Sequence, residues 1–471
     1  MTARTDPTTT GPARPEITLD TLVAVALAAL TEGRRQRGGP VPHGSPADVT
    51  IAVDAALGGG ALPEHGIGEI AALRSLVTAF AAGAADPTDP FCAAHLHCPP
   101  LGVAVAADLV ASALNQSLDS WDQAPAATVL EQRVIAALAE LAGFPCGAGV
   151  FTTGGTGSTY TALLLARDAA TGPVRLFASA IAHFSVERAA HLLGLPPVVA
   201  VAVDHDLRMD PHSLAQLLRD APAGDRPIVV ATAGTTDTGS IDPLRPIADL
   251  TLAAGGWLHI DAAYGGGALF SDRYAPLLAG LDRADSVSLD LHKLGWQPAA
   301  AGVLLTRDPR AFEPLDRRAV YLNPVDDDEA GYTSLLGRSL RTTRRADVLK
   351  VAVTLQALGR RGLGDRVDRC CELAVTAAAL VGTDPDLTLA RDPVLTTVVF
   401  RYRTAEPARS DDVNMALRRR LLREGSAVIG RTELDGAVHL KLTLLNPVTT
   451  TADLQALLAL VVAAGRAEES R

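Results

Sequence analysis

Seven short apolar runs, most of them followed by a small or polar turn and a helix-like stretch, govern what this chain can fold into. They read GVFTT, VRLFAS, PVVAVAV, PIVVATAG, WLHIDAAY, SVSLDLHK and AGVLLT, and they lie between about residue 148 and residue 306. Strands that alternate with helices build a mainly parallel sheet covered on both faces, so each strand is apolar throughout rather than on one side. The expected class is α/β. In open sheets of this kind a ligand sits beyond the carboxyl ends of the strands. The residues found there are the first candidates for chemistry.

The flanking regions differ from this core. The first hundred residues read as helices separated by breaks such as GGPVPHGSP (38–46) and DPTDP (86–90). A helix is expected at about 125–142, where Leu130, Val134, Leu138 and Leu141 form one stripe and Gly143 and Pro145 stop it. A long helix is expected near 340–358, and the final helix opens with a capping-box pattern from Thr450 to Asp453. Three regions follow: a helical N-terminal segment (1–100), a large α/β domain (101–355) and a small C-terminal α/β domain (356–471).

Charge and cysteine usage exclude several classes. The 471 residues carry 42 basic and 53 acidic groups, a net charge of −11. Nucleic-acid binding without sequence preference needs a basic surface, so no nucleic-acid partner is expected. The five cysteines have no CxxC spacing and no paired pattern, which fits a reduced, cytoplasmic protein. Residues 1–16 lack the apolar core of a signal peptide and read as a disordered arm. The apolar stretch 22–30 is far shorter than the roughly 20 residues that span a bilayer, so no membrane partner is expected.

At the strand ends, Gly154-Gly155-Thr156-Gly157-Ser158 leads into a helix, and small residues at a helix N-terminus suit a phosphate. A tight strand-to-helix turn has the same appearance. His183 follows the second run, although a lone histidine there is more often structural. Thr235 and Thr236 follow the fourth run and read equally as turn donors. Asp261 closes the fifth run, where a buried carboxylate needs a cationic or donor partner. Lys293 ends the sixth run in a chain with few lysines, just after Asp290 and His292. Taken together, these residues describe one cofactor. Pyridoxal phosphate needs a lysine for its aldehyde, a phosphate cradle and an acid beside its pyridine nitrogen.

At these residues the sequence resembles the group II pyridoxal-phosphate-dependent decarboxylases, closest to the diaminobutyrate and siderophore-type lysine or ornithine enzymes. The likeness runs over about 90–460 through AHLHCPP (94–100), NQSLDSWDQAPAATVLE (115–131), GVFTTGGTGS (149–158), ATAGTTDTGSIDP (231–243), HIDAAYGG (259–266), DLHKLGWQP (290–298), YLNPVDDDEAGY (321–332), RTTRRADVLK (341–350) and LKLTLLNP (440–447). It implies the aspartate-aminotransferase-like (type I) fold with a seven-stranded sheet, no metal, and a homodimer with its active site at the subunit interface. It further implies that Lys293 binds the cofactor aldehyde, that Asp261 meets the pyridine nitrogen, and that His183 and Ala263 lie against the two faces of the ring. Gly155, Thr156 and His292 are implied at the phosphate and Thr235 at the ring edge. Tyr321, on a lid from the other subunit, is implied as the acid that protonates the substrate's α-carbon. The implied reaction is decarboxylation of an L-amino acid to its amine.

Two departures from the family pattern stand out. Gly157 and Thr159 replace residues that carry side-chain donors, which predicts a looser hold on the cofactor. Lys441 stands where aromatic amino acid decarboxylases carry an arginine for the substrate carboxylate, and lysine acts as a point charge without the bidentate fork. This lysine fits a non-aromatic substrate, and the family likeness implies a basic one: 2,4-diaminobutyrate, lysine or ornithine. The acidic run Asp326-Asp327-Asp328-Glu329 is the candidate to meet its distal ammonium, although such runs are usually solvated loops. The alternatives are another reaction of the same cofactor, such as transamination or oxidative decarboxylation-deamination, and a degenerate relative kept as a binding protein.

Overall fold

The computed structural model describes residues 17–58, 60–316 and 319–471; the arm expected at 1–16 lies outside them. The chain divides into two compact units, residues 1–92 with 419–428 and residues 93–418 with 429–471.

In the first unit, α1 (Leu19–Arg37), α2 (Pro46–Leu57) and α3 (Glu69–Ala82) are the helices expected between the Gly/Pro breaks. Gly38 ends α1 in the left-handed conformation, and Ser45 with Asp48 forms a capping box on α2. A Cβ on Gly33 would come within 2.6 Å of Ala81 Cβ, so α1 meets α3 almost backbone to backbone. The buried Arg37 ties them further, donating to Asp86 Oδ2 at 2.6 Å and to the carbonyls of Ala81 and Ala84.

The second unit holds the whole of the larger sheet and most of the smaller one. A two-residue strand, β1 (Cys92–Ala93), belongs to the smaller one. The seven apolar runs form β2 (Ala148–Thr152), β3 (Val174–Ser179), β4 (Val199–Val201), β5 (Arg226–Thr232), β6 (Trp257–Ala262), β7 (Ser286–Asp290) and β8 (Gly302–Thr306), in the order β2-β8-β7-β6-β5-β3-β4. From β4 to β7 all neighbours are parallel, while β8 runs antiparallel to both β7 and β2. The central strands are buried on both faces, which is why their sequences show no alternation.

The helices α4 (Gly102–Leu114), α5 (Pro125–Leu141), α6 (Gly155–Ala169), α7 (Ser185–Leu192), α8 (Pro211–Arg219) and α9 (Leu244–Ala253) belong to the same unit, and after α5 they alternate with the strands. The expected stripe on α5 buries Val134 and Leu138 fully and leaves Leu130 and Leu141 at the edge of the core.

A short α10 (Val325–Glu329) precedes α11 (Val348–Thr383), which starts later than expected and turns at Gly359, φ 63°. The fully buried Lys350 near its start lies 3.1 Å from both Asp108 and Asp347. This helix packs on α4, α5 and α13 (Thr451–Glu469) and on β9 (Leu387–Leu389) and β10 (Thr397–Tyr402). Residues 101–418 and 429–471 fall in one unit and residues 419–428 in the other. The smaller sheet has the order β1-β11-β12-β10-β9, with β11 (Val428–Leu434) and β12 (Ala437–Thr443) joined by a tight turn after α12 (Ser410–Arg423). The capping box expected at Thr450 and Asp453 is present on α13.

Candidate active site

The chemistry-bearing residues gather where β2, β5, β6 and β7 end, around a cavity of about 260 Å³. One wall is the turn from β2 into α6. Thr152 Oγ1 accepts from the Gly154 N–H at 3.2 Å and lies 2.7 Å from Ser158 Oγ, which clips the turn to the first turn of the helix. Gly154 has φ 139°, a conformation that strains any residue with a Cβ. At Gly155 the constraint is space: a Cβ would sit 2.8 Å from Ala263 Cβ and 3.2 Å from Asp290 Oδ2. Because α6 starts at the cavity wall, its unpaired first-turn N–H groups and dipole favour an anion there. Thr156 and Gly157 line this wall as well. Thr159 does not; it is fully buried, and its hydroxyl has no hydrogen-bond partner among the described residues.

Asp261 closes β6, register-matched to Thr232 on β5 and to Ser288 on β7. Its Oδ1 accepts from the Ala263 N–H at 3.1 Å and from the Ser288 hydroxyl at 3.0 Å, and neither bond falls on Oδ2. A buried carboxylate held only by neutral donors is poised for a cation.

Lys293 follows β7, and its Nζ lies 2.9 Å from Asp290 Oδ2. Asp290 is a site residue that the sequence reading passed over, although its i, i+3 spacing from the lysine is visible. The carboxylate is buried, and its Oδ1 has no hydrogen-bond partner among the described residues. His292 Nδ1 accepts from the Ala301 N–H at 3.2 Å, which puts the proton of the neutral ring on Nε2, 3.6 Å from Asp290 Oδ2. Burial lowers the His292 pKa, and the Asp290 charge opposes that shift. Beneath the turn, the Cys98 thiol donates to the His292 carbonyl at 3.2 Å.

His183 lines the opposite side of the cavity. Its Nδ1 accepts from the Ser185 N–H at 3.2 Å, so the neutral ring carries its proton on Nε2. Burial pushes its pKa down, against the pull of the Asp261 charge. Both histidines thus favour the neutral, ring-stacking form.

Not every expected residue reaches the cavity. Thr235 is buried beside it, with its hydroxyl 2.8 Å from Thr238 Oγ1 and accepting from the Ser240 N–H; Gly234 and Thr236 line the wall instead. Thr232, Gly234 and Thr236 face the cavity at every second position, which leaves Thr235 on the other side of the chain. Lys441 on β12 is buried, and its Nζ donates at 3.0 Å to both the Thr236 carbonyl and Asp237 Oδ1. Tyr321 is 84% exposed and does not line this chain's cavity. The acidic run forms α10, which also stays outside it.

These features fit pyridoxal phosphate. The glycine-led helix end offers an anion seat without side-chain bulk, Asp261 an acid with one oxygen uncommitted by the bonds above, and Lys293 a primary amine. His183 and Ala263 add walls sized for a ring.

Comparison with known proteins agrees. Residues 88–403 match the pyridoxal-dependent decarboxylase conserved domain. The L-2,4-diaminobutyrate decarboxylase of Rhizobium meliloti (strain 1021) is 48% identical over 400 residues, which is 83% of this chain and 80% of that protein. That of Acinetobacter baumannii is 34% identical over 431 residues, 85% and 84% of the two chains. The solved glutamate decarboxylase domain of the Vibrio parahaemolyticus diaminobutyrate-pyruvate transaminase and L-2,4-diaminobutyrate decarboxylase superposes with a TM-score of 0.85 at 32% identity, covering 95% of each chain. An Oryza sativa TDC solved with PLP and tryptamine shares the fold, with a TM-score of 0.88 at 23% identity over 97% of this chain and 99% of that one. The chain belongs to the pyridoxal-dependent decarboxylase family, and it is a pyridoxal-phosphate-dependent amino acid decarboxylase.

Proposed function

We propose that the enzyme decarboxylates a short basic L-amino acid, 2,4-diaminobutyrate first among them, and that Lys293, Asp261, His183, His292, Gly155 and Thr156 hold its cofactor. The observation that carries the site assignment is the convergence of Lys293 Nζ, a buried Asp261 and the start of α6 on one cavity. The substrate class is supported by the two diaminobutyrate decarboxylases among the relatives. When bound, pyridoxal phosphate supplies the electron sink for the pair left as the bond to the carboxylate breaks.

The chain's own residues do the rest. Asp261 stabilises positive charge on the pyridine nitrogen through the oxygen that Ser288 and Ala263 do not occupy. Asp290 orients the Lys293 amine and balances its charge. His183 would supply a flat, neutral wall against one face of the cofactor ring. Lys441, next to cavity-lining Thr236, attracts the substrate carboxylate.

Proton return to the α-carbon falls to Tyr321, reaching in from a second subunit of a cytoplasmic homodimer. Its high exposure in one chain supports this arrangement. So do Val105, Val110 and Leu114, which leave apolar surface open along α4. The free state of all five cysteines supports the cytoplasm.

The test is carbon dioxide release from a panel of amino acids with added cofactor. Diaminobutyrate, lysine or ornithine should lead, with the amine as product; a preference for tyrosine or glutamate overturns the substrate class. Lys293→Ala should lower the rate on the order of a thousandfold or more and abolish the absorbance of lysine-linked cofactor.

A further inference from the structure

A basic amino acid brings two positive charges to the site, and the cavity residues described above account for only one of them. Asp261 and Asp290 are the carboxylates that line the cavity; the first has the role at the ring nitrogen proposed above, and the second lies 2.9 Å from Lys293 Nζ. The acidic run on α10 lies outside the cavity. One further carboxylate directly follows a lining residue. Asp237 comes after Thr236, and the same Lys441 ammonium holds both, at 3.0 Å from the Thr236 carbonyl and 3.0 Å from Asp237 Oδ1.

This pair has an unusual build. Lys441 is buried, its side chain only 9% exposed, whereas the Asp237 side chain is 55% exposed. Gly430, register-matched to Lys441 on β11, leaves room for the lysine stem: a Cβ there would come within 3.3 Å of Lys441 Cε. The ammonium is therefore fixed by its surroundings, and it fixes one carboxylate oxygen in turn. The bond to Lys441 falls on Oδ1, not on Oδ2. A structural ion pair needs no half-exposed partner beside a binding cavity, and exposed pairs contribute little to stability.

We infer that Asp237 is the specificity-determining residue for the substrate's second ammonium group, with Lys441 as the residue that positions it. The pair sets a positive and a negative charge side by side, and a short diamino acid presents a carboxylate and an ammonium a few bonds apart, so the two patterns are complementary. A neutral side chain of the same shape would bring no charge to meet the Asp237 carboxylate, and a site built to pair a substrate group discriminates against the analogue that lacks it. The inference rests on the basic-amino-acid reading above and names the group that enforces it.

The experiment compares 1,3-diaminopropane with n-butylamine, its isostere bearing a methyl in place of one ammonium, as competitive inhibitors of the holoenzyme and of Asp237→Asn. Turnover of L-2,4-diaminobutyrate is measured alongside. In the variant, kcat/KM should fall on the order of a hundredfold and the preference for the diamine about tenfold or more, while the cofactor absorbance stays unchanged. Asp237→Glu should restore part of the preference. Because Asp237→Asn strands the Lys441 ammonium, the paired change Asp237→Asn with Lys441→Met is measured too; it removes both charges and should lose the preference equally. If the two inhibition constants move together, or the preference survives in both variants, Asp237 is structural and the inference is wrong. A wild-type enzyme that releases no carbon dioxide from any diamino acid defeats the substrate reading itself, whereas full diamine preference without Asp237 defeats this inference alone.

Discussion

The cofactor cavity and the segment from residue 319 to α11 are built on opposite plans. Around the cavity, charged and polar groups are buried and held at fixed register, as with Asp261 between the Ala263 N–H and the Ser288 hydroxyl. The segment is held mainly toward its far end. There Arg344 meets Glu131 at 2.7 Å and 3.0 Å with both side chains 2% exposed, and its carbonyl accepts from Leu118. Leu335 and Ala346 pack with Leu118 on a small apolar cluster. At the near end Val320 and Tyr321 stand in the open. The proposed cofactor seat is thus fixed within one chain, while the group proposed to return the proton has a tethered base and a free tip. On the reading proposed above, anchoring belongs to the fold and closure to the assembly.

The sharpest way to break that contrast is to separate its halves onto different chains. Lys293→Ala and Tyr321→Phe should each cut carbon dioxide release at least about a hundredfold. Dimers formed from an equal mixture of the two variants should recover about a quarter of the wild-type rate, because half are mixed and one of their two sites is intact. No recovery would mean that Tyr321 does not serve a neighbour's site.

A second test concerns the buried frame beneath the cavity. His259, two residues before Asp261 and fully buried, is pushed by burial to about 4 from 6.5. As pH falls through that window the unfolded chain takes the proton first, so folding loses up to about 3 kcal/mol. Asp242 accepts from the Met209 and Thr232 N–H groups, and burial pushes it up to about 6 from 3.8. Between those values the folded chain holds a proton that the unfolded one lacks, so stability rises by about 3 kcal/mol as pH falls. The two nearly cancel. Denaturant midpoints of Asp242→Asn should therefore drop steeply with acid, and those of His259→Gln should rise; parallel curves would refute the assignment.

The smallest effect lies in the phosphate turn. Gly155→Ala meets Ala263 and should weaken cofactor retention about tenfold, read from absorbance after dilution. At Gly157 an added Cβ comes within 2.9 Å of Thr153 Oγ1, a hydroxyl that can turn away, so Gly157→Ala should cost at most a fewfold.

Much of this was legible in the sequence, for a physical reason. Strands buried on both faces must be apolar throughout, so all seven runs became strands. The same rule hid the direction of β8, since an antiparallel strand under the same cover reads identically. The expected start of α11 came too early because 341–347 has helical composition, yet Arg344 and Arg345 are drawn off the helix by Glu131 and Asp108. Among site residues, Lys293 and Asp261 announce themselves by ending apolar runs. Asp290 does so too, but its pairing with the lysine depends on a turn whose shape spacing alone does not give. Thr235 and Thr236 read alike in the sequence; the structure shows Thr236 lining the cavity and Thr235 turned to Thr238 and Ser240.

The chain contains three lysines, Lys293, Lys350 and Lys441, with side chains 19%, 0% and 9% exposed. An acylating or crosslinking reagent aimed at primary amines therefore finds no lysine on the outer surface. The most accessible of the three is the one that the cofactor itself consumes. Labelling read at Lys293 itself would then report sites without cofactor, and lysine-directed coupling would block the proposed active site before it tethered the enzyme.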